Sequence, residues 1–201
     1  MTMLFWTGLG FLLGAMPFSY WLGRLVLHTD IRTYGDGNPG ATNAWRAGTW
    51  RVGLPAMLLD YLKGAVPVSL AHLALGISGW ALLPIALAPV LGHAFSPFMR
   101  FRGGKAVAAT FGIWTGLLVA EGPLVLGLFL GLFYMLQTAD SWSVILGMLG
   151  FLAWLLLRQA EPVILGIWSG NMLILVWKHR RDLRQPPQLR PSISKFLRRD
   201  R

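Results

Sequence analysis

Seven apolar stretches, parted by short polar or turn-rich connections, organise this chain. They run over 3–27, 53–76, 79–93, 106–121, 122–138, 142–158 and 161–178. A membrane-spanning helix needs about 20 mostly apolar residues, and most of these stretches approach or exceed that length. The third is short and holds Pro84 and Pro89. The fourth and fifth form one apolar run broken at Glu121-Gly122-Pro123, where the Gly-Pro pair marks a turn. Two connections, 30–46 and 92–105, are instead long, polar and glycine-rich.

Composition agrees with this pattern. Of 201 residues, 55% are hydrophobic and only 13% charged, against about 25% charged in a soluble domain. The mean hydropathy is +0.55. The expected fold is all-α: a polytopic membrane protein built as a single transmembrane domain over 1–183. Cysteine is absent, which excludes disulfides and thiolate chemistry.

The net charge of +10 matters through its placement. Basic residues in a polytopic membrane protein mark cytoplasmic loops and anionic headgroups rather than nucleic acid. Arg32, Arg46 and Arg51 flank the first glycine-rich loop, and Arg100, Arg102 and Lys105 lie in the second. The segment from Lys178 onward adds nine more Lys or Arg. The opposite connections, near 77–78, 121–123 and 159–161, hold none, with Arg158 at the edge of the last. The positive-inside rule therefore puts both loops and the C-terminus in the cytoplasm. Seven transmembrane helices with the N-terminus outside satisfy that arrangement; five satisfy the parity and six do not. Residues 1–27 lack the positive start of a secretory signal. Residues 184–201, rich in Pro, Gln, Ser and basic residues, read as a disordered cytoplasmic tail. That tail would be either solvated or drawn to anionic lipid.

The polar loops carry the candidate chemistry. The first offers Gly35, Gly37 and Gly40 with Asn38, Thr42, Asn43 and Arg46. Glycines let backbone N–H groups converge on an anion, and arginine suits phosphate because its fork makes two parallel hydrogen bonds. Asp36 is the odd member, since a carboxylate repels phosphate. It would serve a hydroxyl, pair with an arginine or bind a cation. The second loop places Gly103, Gly104 and Lys105 before an apolar helix, whose positive end favours phosphate. His93, twelve residues earlier, reads as a base, a phosphate donor or a satisfied interfacial histidine. Asp60 and Lys63 lie three residues apart on one face of the second stretch. Charges at membrane depth are costly, so the pair supports the polar site or clamps two helices. No zinc spacing, nucleophile elbow or Walker A motif occurs, and no metal or cofactor is implied.

The run from Gly35 through Arg46 resembles the first signature of the bacterial acyl-phosphate:glycerol-3-phosphate acyltransferases. The run from Leu91 through Ala108 resembles the second. Leu59 through Gly64 matches a further feature of that family, and Lys178 through Arg184 is loosely similar to its third signature. Met16-Pro17 and Tyr20, before Arg24, fit its N-terminal helix, so the resemblance covers about 8–184. It implies seven helices in the bacterial inner membrane with a cytoplasm-facing site. The implied reaction moves an acyl group from acyl-phosphate to the 1-hydroxyl of glycerol 3-phosphate, an early step of phospholipid synthesis. A phosphate acyltransferase would supply the donor. By the same resemblance Lys105, with the Gly103 and Gly104 N–H groups, would hold phosphate. Asn38, Thr42, Asn43 and Arg46, beside Gly37, would hold glycerol phosphate or shape its loop. His93 and His179 would line the site, and Ser141 and Ser143 would lie near it.

Three residues depart from the family pattern. Asp36 stands where Ser is usual, Ala106 where Gly is usual, and Asp182 where Asn is usual. They leave room for a paralogue that acylates another small hydroxyl compound. A non-catalytic transporter or binder of anionic lipid or phosphate ester is the third reading. Against transport, no internal repeat is present and the polar loops share one side.

Overall fold

The computed structural model describes residues 1–191. Among them, eight α-helices form one bundle: α1 (Thr2–Ala15), α2 (Phe18–Val26), α3 (Ala41–Ser69), α4 (Leu82–Ala94), α5 (Val107–Leu118), α6 (Glu121–Leu136), α7 (Asp140–Leu157) and α8 (Pro162–His179). The first apolar stretch is two helices because Pro17 lacks the N–H that would continue α1, and Met16 is extended at φ −61°, ψ 120°. Among the described residues, four segments are long and apolar enough to cross a membrane: Thr2–Val26, Ala41–Ala74, Gly79–Met99 and Asp140–Leu157. The expected spans 106–121 and 122–138 appear as the shorter helices α5 and α6, of 12 and 16 residues.

Helix α3 departs most from the hydropathy pattern. The expected helix starts at 53, whereas α3 begins at Ala41, inside the first polar loop. Extended Gly40 starts it, and its carbonyl accepts from the Asn43 and Ala44 N–H groups. Gly48 and Thr49 then leave helical geometry, Thr49 at φ +58°, and kink the helix. The amphipathic first turns, with Thr42, Asn43 and Arg46, thus lie at an angle to the apolar remainder. Polarity hides this helix from a hydropathy reading.

Small residues bring the helix backbones together. A Cβ on Gly14 of α1 would strike the Pro89 backbone of α4, and one on Gly112 of α5 would strike the Tyr61 carbonyl of α3. Close backbone approach of this kind, with polar ties, holds helices together where lipid removes the hydrophobic drive. The ties are buried. Trp114 Nε1–H donates to Asn171 Oδ1 at 3.1 Å, Asn171 Nδ2 donates to Thr110 Oγ1 at 2.9 Å, and Trp168 Nε1–H donates to the Met148 carbonyl at 3.0 Å. Large apolar side chains cover the outside instead: Leu128 is 73% exposed and Leu157 84%. An apolar exterior over a polar-tied core is the pattern expected in lipid.

Beyond α8 the chain stays docked for several residues. The Gln188 carbonyl accepts from Thr138 N–H at 2.9 Å, Arg190 N–H donates to the Leu136 carbonyl at 3.0 Å, and Trp142 Nε1–H donates to the Gln185 carbonyl at 2.7 Å. The basic tail expected from 184 onward therefore begins with a segment laid along the α6–α7 connection. Its remainder, 192–201, lies outside the described residues.

The first loop is anchored by Asp30. Its carboxylate accepts from Arg24 at 3.1 Å and from Arg32 at 2.6 Å, and Oδ1 also accepts from the Arg32 N–H. Arg32 holds the Asp30 carboxyl down at about 2, below its ordinary 3.8. A carboxyl lowered on folding stabilises above its unfolded value and loses that contribution as pH falls through the folded one. Asp30→Asn is expected to cost about 1 kcal/mol near neutral pH. Melting curves of both proteins in detergent should converge progressively below pH 4.

Candidate active site

Four segments that are distant in sequence meet at one end of the bundle. They are the first polar loop with the start of α3, the second loop before α5, the start of α7, and the end of α8. Lys105 is their junction. Its Nζ lies 2.6 Å from Asp36 Oδ2 and 2.7 Å from Asp182 Oδ2.

On the first loop, Gly35 and Gly37 take φ of +55° and +73°, values that glycine adopts without strain. They turn Asp36 so that its Oδ1 accepts from the Asn38 N–H at 3.1 Å and from Asn43 Nδ2 at 2.9 Å. Asn43 is buried and also donates to the Asn38 carbonyl, while its Oδ1 accepts from Arg46 Nη1 at 3.2 Å. Arg46 is thus wired to Asp36 through Asn43. Of the three partners open to Asp36, the structure supplies a cation, the Lys105 ammonium, rather than an arginine. Thr42 is exposed one residue away.

The second loop folds back on the end of α4. Arg100 and Phe101 both take left-handed conformations, which reverses the chain. Gly103 and Gly104 then pack against His93. A Cβ on Gly103 would meet the His93 carbonyl and the Ala94 backbone, and one on Gly104 would meet the His93 imidazole. This packing corrects one expectation: the Gly104 N–H is not open to phosphate, because it already donates to the His93 carbonyl at 3.0 Å. Lys178, to which the sequence assigns no role, holds the loop from α8. Its Nζ donates to the Ala94 carbonyl at 2.8 Å and to the Gly103 carbonyl at 2.9 Å. Its place beside His179, in the loosely matched third signature, was the available signal. Ala106 follows at φ +63°, a left-handed position that favours glycine, and leads into the N-terminus of α5.

Burial opposes the charged forms of both Asp36 and Lys105, but the attraction between them outweighs it. Helped by the Asn38 N–H and Asn43, Lys105 holds the Asp36 carboxyl below the usual carboxylate range. Asp182 and Asp36 hold the Lys105 ammonium above its ordinary value. Lys105 and Asp36 therefore favour each other's charged forms, and the Asp182 carboxyl approaches the same ammonium at 2.7 Å.

The remaining candidates divide. Ser141 joins the cluster, donating from Oγ to Asp182 Oδ2 at 3.1 Å. Ser143 does not: it is buried and accepts from Gln137 Nε2 in the α6–α7 connection. His179 is buried, with Nδ1 2.9 Å from the Leu175 carbonyl of its own helix. His93 is 7% exposed and sits beneath Gly104. Its Nδ1 has no hydrogen-bond partner among the described residues and faces Asp60 Oδ1 at 3.9 Å. Asp60 is held by Ser19 Oγ at 2.5 Å and Lys63 Nζ at 2.8 Å, and Lys63 also donates to the Met16 carbonyl at 2.9 Å. This buried pair therefore clamps α3 to the α1–α2 junction while standing beneath the glycine loop. No group of three or more metal-binding side chains occurs among the described residues. A cation with hydroxyl, amide and carboxylate groups around it, at the end of an apolar bundle, can hold a small anionic polar compound beside a lipid-soluble one.

Residues 4–186 match the family model described as glycerol-3-phosphate acyltransferase. The chain is similar to glycerol-3-phosphate acyltransferase 1 of Thermotoga maritima, 36% identical over 189 residues, covering 87% of this chain and 93% of that protein. It is also similar to glycerol-3-phosphate acyltransferase of Pseudomonas fluorescens, 38% identical over 176 residues, covering 87% and 90%. Among solved structures it resembles PlsY (YgiH), an integral membrane glycerol 3-phosphate acyltransferase, in its glycerol 3-phosphate form. That match has a TM-score of 0.84 at 27% identity and covers 98% of this chain and 99% of that one. The lysophosphatidic acid form matches with a TM-score of 0.81 at 28% identity, covering 92% and 91%.

Proposed function

The chain belongs to the glycerol-3-phosphate acyltransferase family, and from that premise we propose that it moves the acyl group of an acyl-phosphate onto the 1-hydroxyl of glycerol 3-phosphate. It is an acyltransferase and a multi-pass, all-helical membrane protein. The products are 1-acylglycerol 3-phosphate and inorganic phosphate. The observation that carries this reading is Lys105, held at the junction of two polar glycine-rich loops at one end of an apolar bundle.

The chemistry asks little of the protein beyond placement. An acyl-phosphate is already an activated mixed anhydride, so no enzyme nucleophile is needed. The glycerol hydroxyl oxygen attacks the carbonyl carbon, the bond from that carbon to the phosphate oxygen breaks, and the departing phosphate takes the hydroxyl proton. Lys105 and the N-terminus of α5 would stabilise negative charge building on the phosphate. Arg46, Asn38 and Thr42 would bind glycerol 3-phosphate, with Asn43 as the buried hub that positions Arg46. Asp36 would orient the ammonium or a glycerol hydroxyl. His93, being buried, would support the glycine loop rather than touch substrate. Placing reactants within attack distance supplies much of the acceleration.

We read the topology as seven crossings, with α1 and α2 counting as one and the N-terminus outside. The site then faces the cytoplasm of a bacterial inner membrane, where a phosphate acyltransferase would deliver the donor. The excess of Lys and Arg at the site end supports this orientation. Asp36 and Asp182 favour a second reading, in which another small hydroxyl compound is the acceptor.

Purified protein given palmitoyl-phosphate and labelled glycerol 3-phosphate is expected to form labelled 1-acylglycerol 3-phosphate with saturation in both substrates. No product from a folded preparation would reject glycerol 3-phosphate as acceptor. Product with a different hydroxyl compound would establish the second reading.

A further inference from the structure

The Lys105 ammonium has three donors, and two are committed to Asp36 Oδ2 and Asp182 Oδ2. Each carboxylate is itself held in place. Asp36 accepts from the Asn38 N–H and Asn43 Nδ2, and Asp182 accepts from Ser141 Oγ. A tetrahedral anion that approaches Lys105 therefore meets two fixed oxygens that can only accept hydrogen bonds. An anion that presents acceptors alone is repelled by them. An anion that carries a hydroxyl proton can donate it to one carboxylate while its other oxygens face the ammonium.

We propose that Asp36 and Asp182 make the Lys105 site prefer phosphate groups that carry a proton over fully deprotonated tetrahedral anions such as sulfate, which it holds more weakly. The proposal rests on the reading of Lys105 as the phosphate ligand. It deepens that reading through the stoichiometry of the reaction. The acyl-phosphate dianion enters with no proton, so the carboxylates oppose it in the ground state. The hydroxyl proton reaches phosphate as the ester forms, and the leaving group becomes hydrogen phosphate, the form the carboxylates accept. Interactions that improve along the reaction in this way accelerate it, whereas those present throughout do not. A site built to bind a hydroxyl also rejects an analogue lacking one far more strongly than shape alone would.

The test is calorimetric binding of inorganic phosphate and of sulfate to the full chain in detergent at pH 7. Wild-type protein is expected to bind sulfate at least about tenfold more weakly than phosphate. In the Asp36→Asn, Asp182→Asn double variant the two affinities should come within about threefold of each other, because the amides can donate to either anion. Both side chains are partly exposed, at 37% and 42%, and matched melting temperatures would verify that the variant folds. Equal binding of the two anions by wild type, or an unchanged ratio in the double variant, would overturn the proposal. Unchanged phosphate binding by Lys105→Ala would overturn it as well, since the ligand would then sit elsewhere. Calorimetry needs no turnover, so a failure of the acyl-transfer reading shows separately, in the product assay.

Discussion

Lys105→Ala is expected to lower kcat by about 10³-fold or more while the protein still inserts and folds. Removing one preorganised donor that faces developing negative charge costs about 10²–10³-fold, and here the loss goes further. Asp36 and Asp182 both approach the same ammonium, at 2.6 and 2.7 Å. Without it they would confront each other and any incoming phosphate with no intervening cation. The variant therefore replaces a neutralising centre by a repulsive one. The measurement is initial velocity at saturating substrates, paired with a melting curve and the elution volume of the detergent-solubilised protein. Lys105→Arg tests geometry as well as charge. Its planar fork cannot reproduce the compact ammonium between two carboxylates, so only part of the activity should return. Wild-type rates in folded Lys105→Ala would remove Lys105 from the site.

Gly103→Ala should be nearly as damaging to turnover, with a milder effect on stability. The added Cβ would meet the His93 carbonyl and the backbone of Ala94, neither of which can swing aside as a flexible side chain does. The Gly103 carbonyl also accepts from Lys178, so the loop is pinned from above and below. The strain should cost about 1–3 kcal/mol, as overpacking does, and be relieved by moving the loop and Lys105 with it. A displacement of about 1 Å at a reacting centre costs on the order of 10²-fold in rate. Gly8→Ala is the matched control, because a Cβ there meets nothing within 4 Å. A Gly103→Ala protein with a lowered melting temperature and an unchanged kcat would show that the loop can shift without disturbing the chemistry.

The glycine loop that carries Lys105 is a feature that the sequence leaves ambiguous. Gly103-Gly104-Lys105 before an apolar helix is expected to form an anion loop, and in the structure both glycines pack against His93. Their physical role differs in part: Gly104 permits contact with the His93 imidazole and gives its N–H to the His93 carbonyl, so packing accounts for that glycine. The start of α3 was obscured for a related reason. Ala41–Ala47 is helical yet polar, and a helix that is not apolar carries little hydropathy signal. The family resemblance puts Ser141 and Ser143 together near the site. On α7 the two serines point to different partners, Gln137 and Asp182, because residues two apart on a helix do not share a face.

The sequence by itself determined the class of molecule, the polar segments and most of the candidate site residues. These are local properties: the transfer cost of each stretch of side chains into lipid, and the charge of each connection. Only the tertiary structure decided which of them meet. Asp36 and Asp182 come from opposite ends of the chain. They converge on Lys105 because α3 and α5 pack backbone to backbone at Gly112, and Lys178 of α8 binds the loop that carries Lys105. Pairing of that kind depends on helix contacts between residues far apart in the sequence, and no local pattern encodes those contacts. The Lys105 ammonium thereby stands between two carboxylates that no local pattern places beside it.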